Sequence, residues 1–196
     1  MIDNYTDLLN EVEAWSYRSD LTDRIPTFVQ LCESDLQVRC KLVDFENDAN
    51  VTVTAGVGTL PTDYSQARAV FWEGDQIRSL KYLTPDQMQA KAYLAGLPTY
   101  YTITGDNIQV LPSGDGTLGM TYKARFSALS GSNPTNVILT RYPEAYLHGT
   151  LAQLAMYTKD ADTLTTAQAA YESAILRIKL DNNQRKYGSS LEVRAR

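Results

Sequence analysis

Nucleophilic catalysis needs a serine, cysteine or threonine beside a general base, and near neutral pH that base is most simply a histidine. The chain has one histidine, His148. It falls among Tyr146, Leu147 and Leu151 at helical spacing, and no GxSxG elbow accompanies it. His148 therefore reads as a helix-surface or packed side chain. Cys32 and Cys40 would lie about 12 Å apart on one helix, beyond the roughly 7 Å reach of a disulfide. They read as small buried or half-buried thiols. Zinc sites of Cys and His need three or four closely spaced ligands, which these three residues do not supply.

Phosphate-binding loops fare no better. Gly56-Val57-Gly58 and Gly114-Asp115-Gly116 lack the following helix and lysine of a nucleotide cradle and read as turns. The acidic pairs Asp44 with Glu46, Asp160 with Asp162, and Glu11 with Glu13 each fall at an element end, where carboxylates cap and complement helix dipoles. No catalytic residue, metal or cofactor is expected, and the reading is of a protein that is not an enzyme.

Charge is more informative by region than in total. The 196 residues carry 18 Lys+Arg against 23 Asp+Glu, a net of −5. From position 177 onward, Arg177, Lys179, Arg185, Lys186, Arg194 and Arg196 face only Asp181 and Glu192, so this end is +4 and the rest is −9. An acidic body repels nucleic-acid phosphate, and a basic end suggests a contact that the body does not make. The longest apolar runs are four letters, as in Ala69-Val70-Phe71-Trp72, against about 20 for a membrane span. Met1-Ile2-Asp3-Asn4 begins neither a basic nor an apolar stretch, so no secretory signal is read. Cytoplasmic synthesis fits this reading.

The elements that must position these residues are helical at both ends. Thr6 is a cap for a helix carrying Leu8, Leu9, Val12 and Trp15; a second helix from about Thr22 to Leu42 buries Ile25, Phe28, Val29, Cys32 and Leu36, with Pro26 in its first turn. Strand signals then appear at Val51–Thr54, Ala67–Trp72 and Gln76–Leu83, the last two joined by Glu73-Gly74-Asp75. Thr84-Pro85-Asp86-Gln87 opens a short helix ended by Gly96. A hairpin of Tyr101–Ile103 and Ile108–Leu111 turns at Gly105-Asp106-Asn107, and Leu118–Phe126 places Met120, Tyr122, Ala124 and Phe126 on one face. After the loop Ser130–Asn136, one helix opens at Pro143 with Tyr146, Leu147, Leu151, Leu154 and Ala155 as its stripe. The last runs from Asp162 to about Arg185 with Leu164, Gln168, Tyr171, Ile175 and Ile178.

The expected fold is α+β: an antiparallel helical bundle formed by N- and C-terminal helix pairs, with an inserted β-rich subdomain containing one short helix. The boundaries are 1–42 and 137–185 for the two pairs, 43–136 for the insertion, and 186–196 for a flexible docking tail.

Two stretches carry a resemblance: Ala14-Trp15-Ser16-Tyr17-Arg18-Ser19-Asp20-Leu21-Thr22-Asp23-Arg24-Ile25-Pro26, running on to Glu33, and Tyr142-Pro143-Glu144-Ala145-Tyr146-Leu147-His148-Gly149, running on to Tyr171-Glu172. With Gly96-Leu97-Pro98-Thr99-Tyr100-Tyr101 and Leu111-Pro112, the chain resembles the head-to-tail adaptor proteins of tailed bacteriophages, particularly short-tailed ones. The resemblance covers nearly the whole chain in the same order. It implies a structural virion protein in a ring, typically of twelve subunits, beneath the portal protein, extending the DNA channel and supporting tail nozzle or tail fibre proteins. It also implies a C-terminal segment that lodges on the portal; here the portal-binding residues would be Arg185, Lys186, Tyr187, Leu191, Val193, Arg194 and Arg196. Genomic DNA would pass the lumen without specific binding. The alternatives are a head-completion or tail-tube component without portal contact, a small soluble enzyme with an unrecognised site, and a stand-alone binding module.

Overall fold

The computed structural model describes residues 1–74 and 77–187. It divides the chain into two compact units, one of residues 1–44 and 126–196 and one of residues 45–125.

The first unit is helical. Helix α1 (Tyr5–Ser16) starts one residue after Asn4, whose side chain accepts from the Asp7 amide at 3.0 Å; this is the cap, in place of the expected Thr6. Tyr17 in the left-handed region (φ 53) ends it. A 3-10 helix at Ser19–Arg24 leads into α2 (Ile25–Arg39), with Pro26 in the first turn where its missing donor costs least. In the C-terminal part lie α4 (Val137–Arg141), α5 (Pro143–Thr158) and α6 (Ala161–Tyr187). Helix α5 packs against α1, α2, α4 and α6. It is therefore apolar almost all round: Ala145, Tyr146, Leu147, Leu151, Ala152, Leu154 and Ala155 are buried on it. Lys159 (φ 59) closes α5, and Asp160 then caps α6 by accepting from the Thr163 amide at 3.1 Å.

The second unit is a sheet of β1 (Glu46–Thr54), β2 (Val57–Thr59), β3 (Tyr64–Glu73), β4 (Arg78–Ser79), β5 (Lys81–Tyr82), β6 (Tyr100–Thr104), β7 (Asn107–Leu111) and β8 (Gly116–Ala124), with α3 (Pro85–Ala90) between β5 and β6. The order across the sheet is β4-β3-β8-β1-β2-β7-β6-β5. Its two edge strands are separated in sequence by one residue, Leu80, whose amide donates to Val70 O at 2.8 Å while that of Lys81 donates to Thr99 O at 3.0 Å. One extended segment thus leaves the β3 edge and joins the β6 edge, so the sheet curls into a nearly closed barrel. Two register shifts in β3, between Tyr64 and Gln66 and between Ala67 and Ala69, supply bending. Val51, Val53, Val70, Trp72, Leu80, Ile108, Val110, Leu118, Met120 and Tyr122 fill the interior. Gly116 is obligatory there: a Cβ on it would come within 2.6 Å of the Trp72 ring.

This architecture corrects the expected fold class, a helical bundle with an inserted β subdomain. The β elements are one continuous eight-stranded sheet with its own core. The expectation missed it because β1 begins at Glu46, through polar Glu46-Asn47-Asp48-Ala49-Asn50, whose letters disfavour strands. Pairing with β8 from Glu46↔Lys123 to Val53↔Gly116 overrides that preference. The single strand expected over Gln76–Leu83 is two short ones serving opposite sheet edges. Phe126 lies beyond β8, which ends at Ala124.

Candidate functional site

The basic end of the chain is tied down at its base. Arg185 and Lys186 occupy the last turn of α6, where cations complement the helix dipole. Arg185 grips Asp44 with both terminal guanidinium nitrogens, Nη2 at 2.7 Å from Oδ1, and Arg141 Nη1 reaches the same carboxylate at 2.7 Å. The Arg185 hydrogen bond, then the charges of Arg141 and Arg185, hold the Asp44 carboxyl below the usual carboxylate range against partial desolvation. Nearby, the Val43 amide donates to Asn182 Oδ1 at 2.8 Å and the Tyr142 hydroxyl donates to Asp181. Side chains of the last α6 turns and of the 141–142 corner therefore converge beside residues 43–44. Tyr187 closes α6, and Leu191, Val193, Arg194 and Arg196 lie outside the described residues.

Cys32, Cys40 and His148 sit in packed surroundings. Burial pushes the Cys32 thiol far up and the Cys40 thiol up to about 11, so neither is a thiolate near neutral pH. Cys32 packs where α2, α5 and α6 meet: a Cβ on Gly149 would collide with its sulfur and come within 2.9 Å of Tyr171. His148 stands edge-on to Trp15, ring centroids 5.8 Å apart, and desolvation lowers its pKa. The hydroxyls beside it are engaged elsewhere, Thr163 donating to Asp160 at 2.6 Å and Thr166 to the Asp162 carbonyl at 3.1 Å. Glu46 pairs with Arg68 at 3.2 Å. Among the described residues no cluster of three or more His, Cys, Asp or Glu has metal-binding geometry, and no helix is long and apolar enough to cross a membrane.

A buried acid escaped sequence reasoning. Glu33 on α2 is 7% exposed, its Oε1 accepting from the Leu129 amide at 2.7 Å and the Tyr146 hydroxyl at 3.0 Å. Asn136 in turn donates to Tyr146 Oη at 2.6 Å while its own oxygen caps α4 through the Leu139 amide at 2.9 Å. Desolvation raises the Glu33 pKa, opposed by the Leu129 and Tyr146 donors. The available signal was Glu33 sitting next to Cys32 on the buried face of an otherwise amphipathic helix.

Helical surfaces remain without cover. Trp15 and Tyr17 are 55% and 92% exposed, and Leu176 and Leu180 on α6 are 60% and 62% exposed. In comparisons with known proteins, the family model for the SU10 adaptor protein matches residues 3–194. No curated protein matches the chain.

Proposed function

The chain belongs to the SU10 adaptor protein family, and on that premise we propose that it is a head-to-tail adaptor that assembles as a ring, of about twelve subunits by the family resemblance, under the phage portal. The ring extends the DNA channel and gives tail nozzle or tail fibre proteins their platform.

The observation that carries this reading is the pinned end of α6. A 27-residue helix is about 40 Å of stiff rod, and the Asp44–Arg185 clamp fixes where the chain leaves it. The sequence past that helix mixes apolar and basic letters, Leu191 and Val193 with Arg194 and Arg196. Such a segment suits docking on the portal, together with Lys186 and Tyr187. Arg185 acts at its base, setting its point of departure.

The acidic balance, −5 overall and −9 outside the last twenty residues, lets genomic DNA slide through the lumen without being held. Co-purification tests the whole reading. The protein is expected to elute with the phage portal, and DNA is expected to pass assembled rings unretained at moderate salt. Recovery with a tail-tube protein and not with portal overturns the adaptor role in favour of a tail component.

A further inference from the structure

We infer that adjacent copies in the ring join through two unlike patches of the helical unit, the Trp15 end of one copy against the outer seam of α6 in the next; this rests on the adaptor reading above.

The first patch centres on Trp15. The ring separates two adjoining grooves of about 340 and 390 Å³; Asp162 lines one and Asp160 the other. Tyr17, in its left-handed turn, stands at the second groove and is nearly fully exposed. This is an aromatic surface, apolar chiefly in the Asp162 groove, with Asp160 and Asp162 on its rim and Arg18 in the second groove. Arg18 does not neutralise that rim, because both its bonds go to Asp20, at 2.7 and 2.8 Å.

The second patch runs along α6. Ala167, Tyr171, Ala174, Ile175 and Ile178 are its buried stripe. Ala169, Ser173, Leu176 and Leu180 recur at alternating four- and three-residue steps on the opposite side, and all four are exposed. That spacing is a helix-packing seam, small at one end and leucine-rich at the other. Arg177 and Lys179 flank the two leucines on either side at 3.6 residues per turn. Arg177 is paired with Glu144 at 3.1 Å, so the charge this rim offers is Lys179, which makes no salt bridge among the described residues although its charge helps to lower the Glu172 pKa.

The rim charges decide the pairing. Acidic rim on acidic rim repels, as does basic on basic, so a two-fold dimer through either patch is disfavoured. Acidic on basic attracts and puts aromatic rings over leucines. The rim charges Asp162 and Lys179 share one helix and lie about 26 Å apart along it, so they do not pair within one chain. An unlike, head-to-tail contact of this kind propagates and closes as a ring.

The test is a charge exchange between Asp162 and Lys179, both exposed and outside the core. Wild type, Asp162→Lys, Lys179→Asp and the double variant are each mixed with the phage portal protein and imaged. Each single variant is expected to lower the share of portals bearing a complete ring about tenfold, and the double variant to restore it. Singles that assemble like wild type, or a double no better than the singles, overturn the patch assignment while leaving the adaptor role standing. A wild-type protein that forms no ring on portal overturns both.

Discussion

Arg185 Nη2 donates to Asp44 Oδ1 at 2.7 Å across 141 positions of sequence, closing the helical unit between its N-terminal and C-terminal parts. The clamp gives Arg185 a structural partner within the helical unit. Truncation after Tyr187 is expected to abolish portal binding while keeping the Asp44–Arg185 clamp. Truncation after Gln184 is expected to abolish binding and also to melt below the Tyr187 truncation, because Asp44 loses both Arg185 bonds and keeps that to Arg141. Calorimetry beside portal pull-down separates the two; equal melting temperatures for both truncations would show that the clamp contributes nothing.

Asp44 also predicts a pH dependence. Its folded-state pKa lies below the ordinary carboxylate value because the arginines favour the charged form. Its contribution is thus fully present above the unfolded pKa, about 4, and is lost as pH falls through the lower folded value. Asp44→Asn is expected to melt earlier than wild type at pH 7, with the gap closing at acid pH. Urea midpoints from pH 3 to 7 measure it, and a gap independent of pH would assign the effect to something other than the charge.

Glu33 carries the opposite sign. Desolvation raises its pKa, so its favourable share is complete below the unfolded value and fades as pH rises through the folded one. Glu33→Gln keeps an oxygen for the Leu129 amide and the Tyr146 hydroxyl without the buried charge, and is expected to be at least as stable as wild type at pH 7. Glu33→Ala leaves both donors unpaired and is expected to lose about 1–3 kcal/mol. Denaturant unfolding of both variants checks this; a glutamine variant as weak as the alanine one would mean that the charge itself is required.

Local signals were legible where chain neighbours decide the structure. Pro143 opens α5 as expected, Pro26 lies in the first turn of α2 although that helix runs Ile25–Arg39 and not from about Thr22 to Leu42, the Thr84 amide meets Gln87 Oε1 at 3.2 Å at the start of α3, and the Tyr100–Leu111 hairpin turns at Gly105. Features that stayed hidden depend on distant partners. The polar first half of β1 is a strand only because β8 pairs with it. Leu80 reads as mid-strand, yet the chain changes sheet edge there. Gln168 and Leu164 were expected in the buried stripe of α6, but the helix turns Ala167 and Ala174 inward. Those small residues allow close approach to α5, which a hydrophobicity count undervalues. The Glu33 network and the Asp44 clamp join residues 96 to 141 positions apart, and no spacing rule reaches that far.

The meeting of α2, α5 and α6 at Gly149 gives a prediction in which two effects compete. Alanine is favoured over glycine in a helix by about 1 kcal/mol. The added methyl, however, would strike the Cys32 sulfur and come within 2.9 Å of the Tyr171 ring, both on packed helices. Overpacking of this kind costs about 1–3 kcal/mol, so Gly149→Ala is expected to be net destabilising. Pairing it with Cys32→Ala removes the sulfur and makes room, so the double variant is expected to be more stable than the sum of the two single effects. A denaturation cycle over the four proteins measures that coupling, and strict additivity would mean that Cys32 yields without strain and the helices are not in the close contact described.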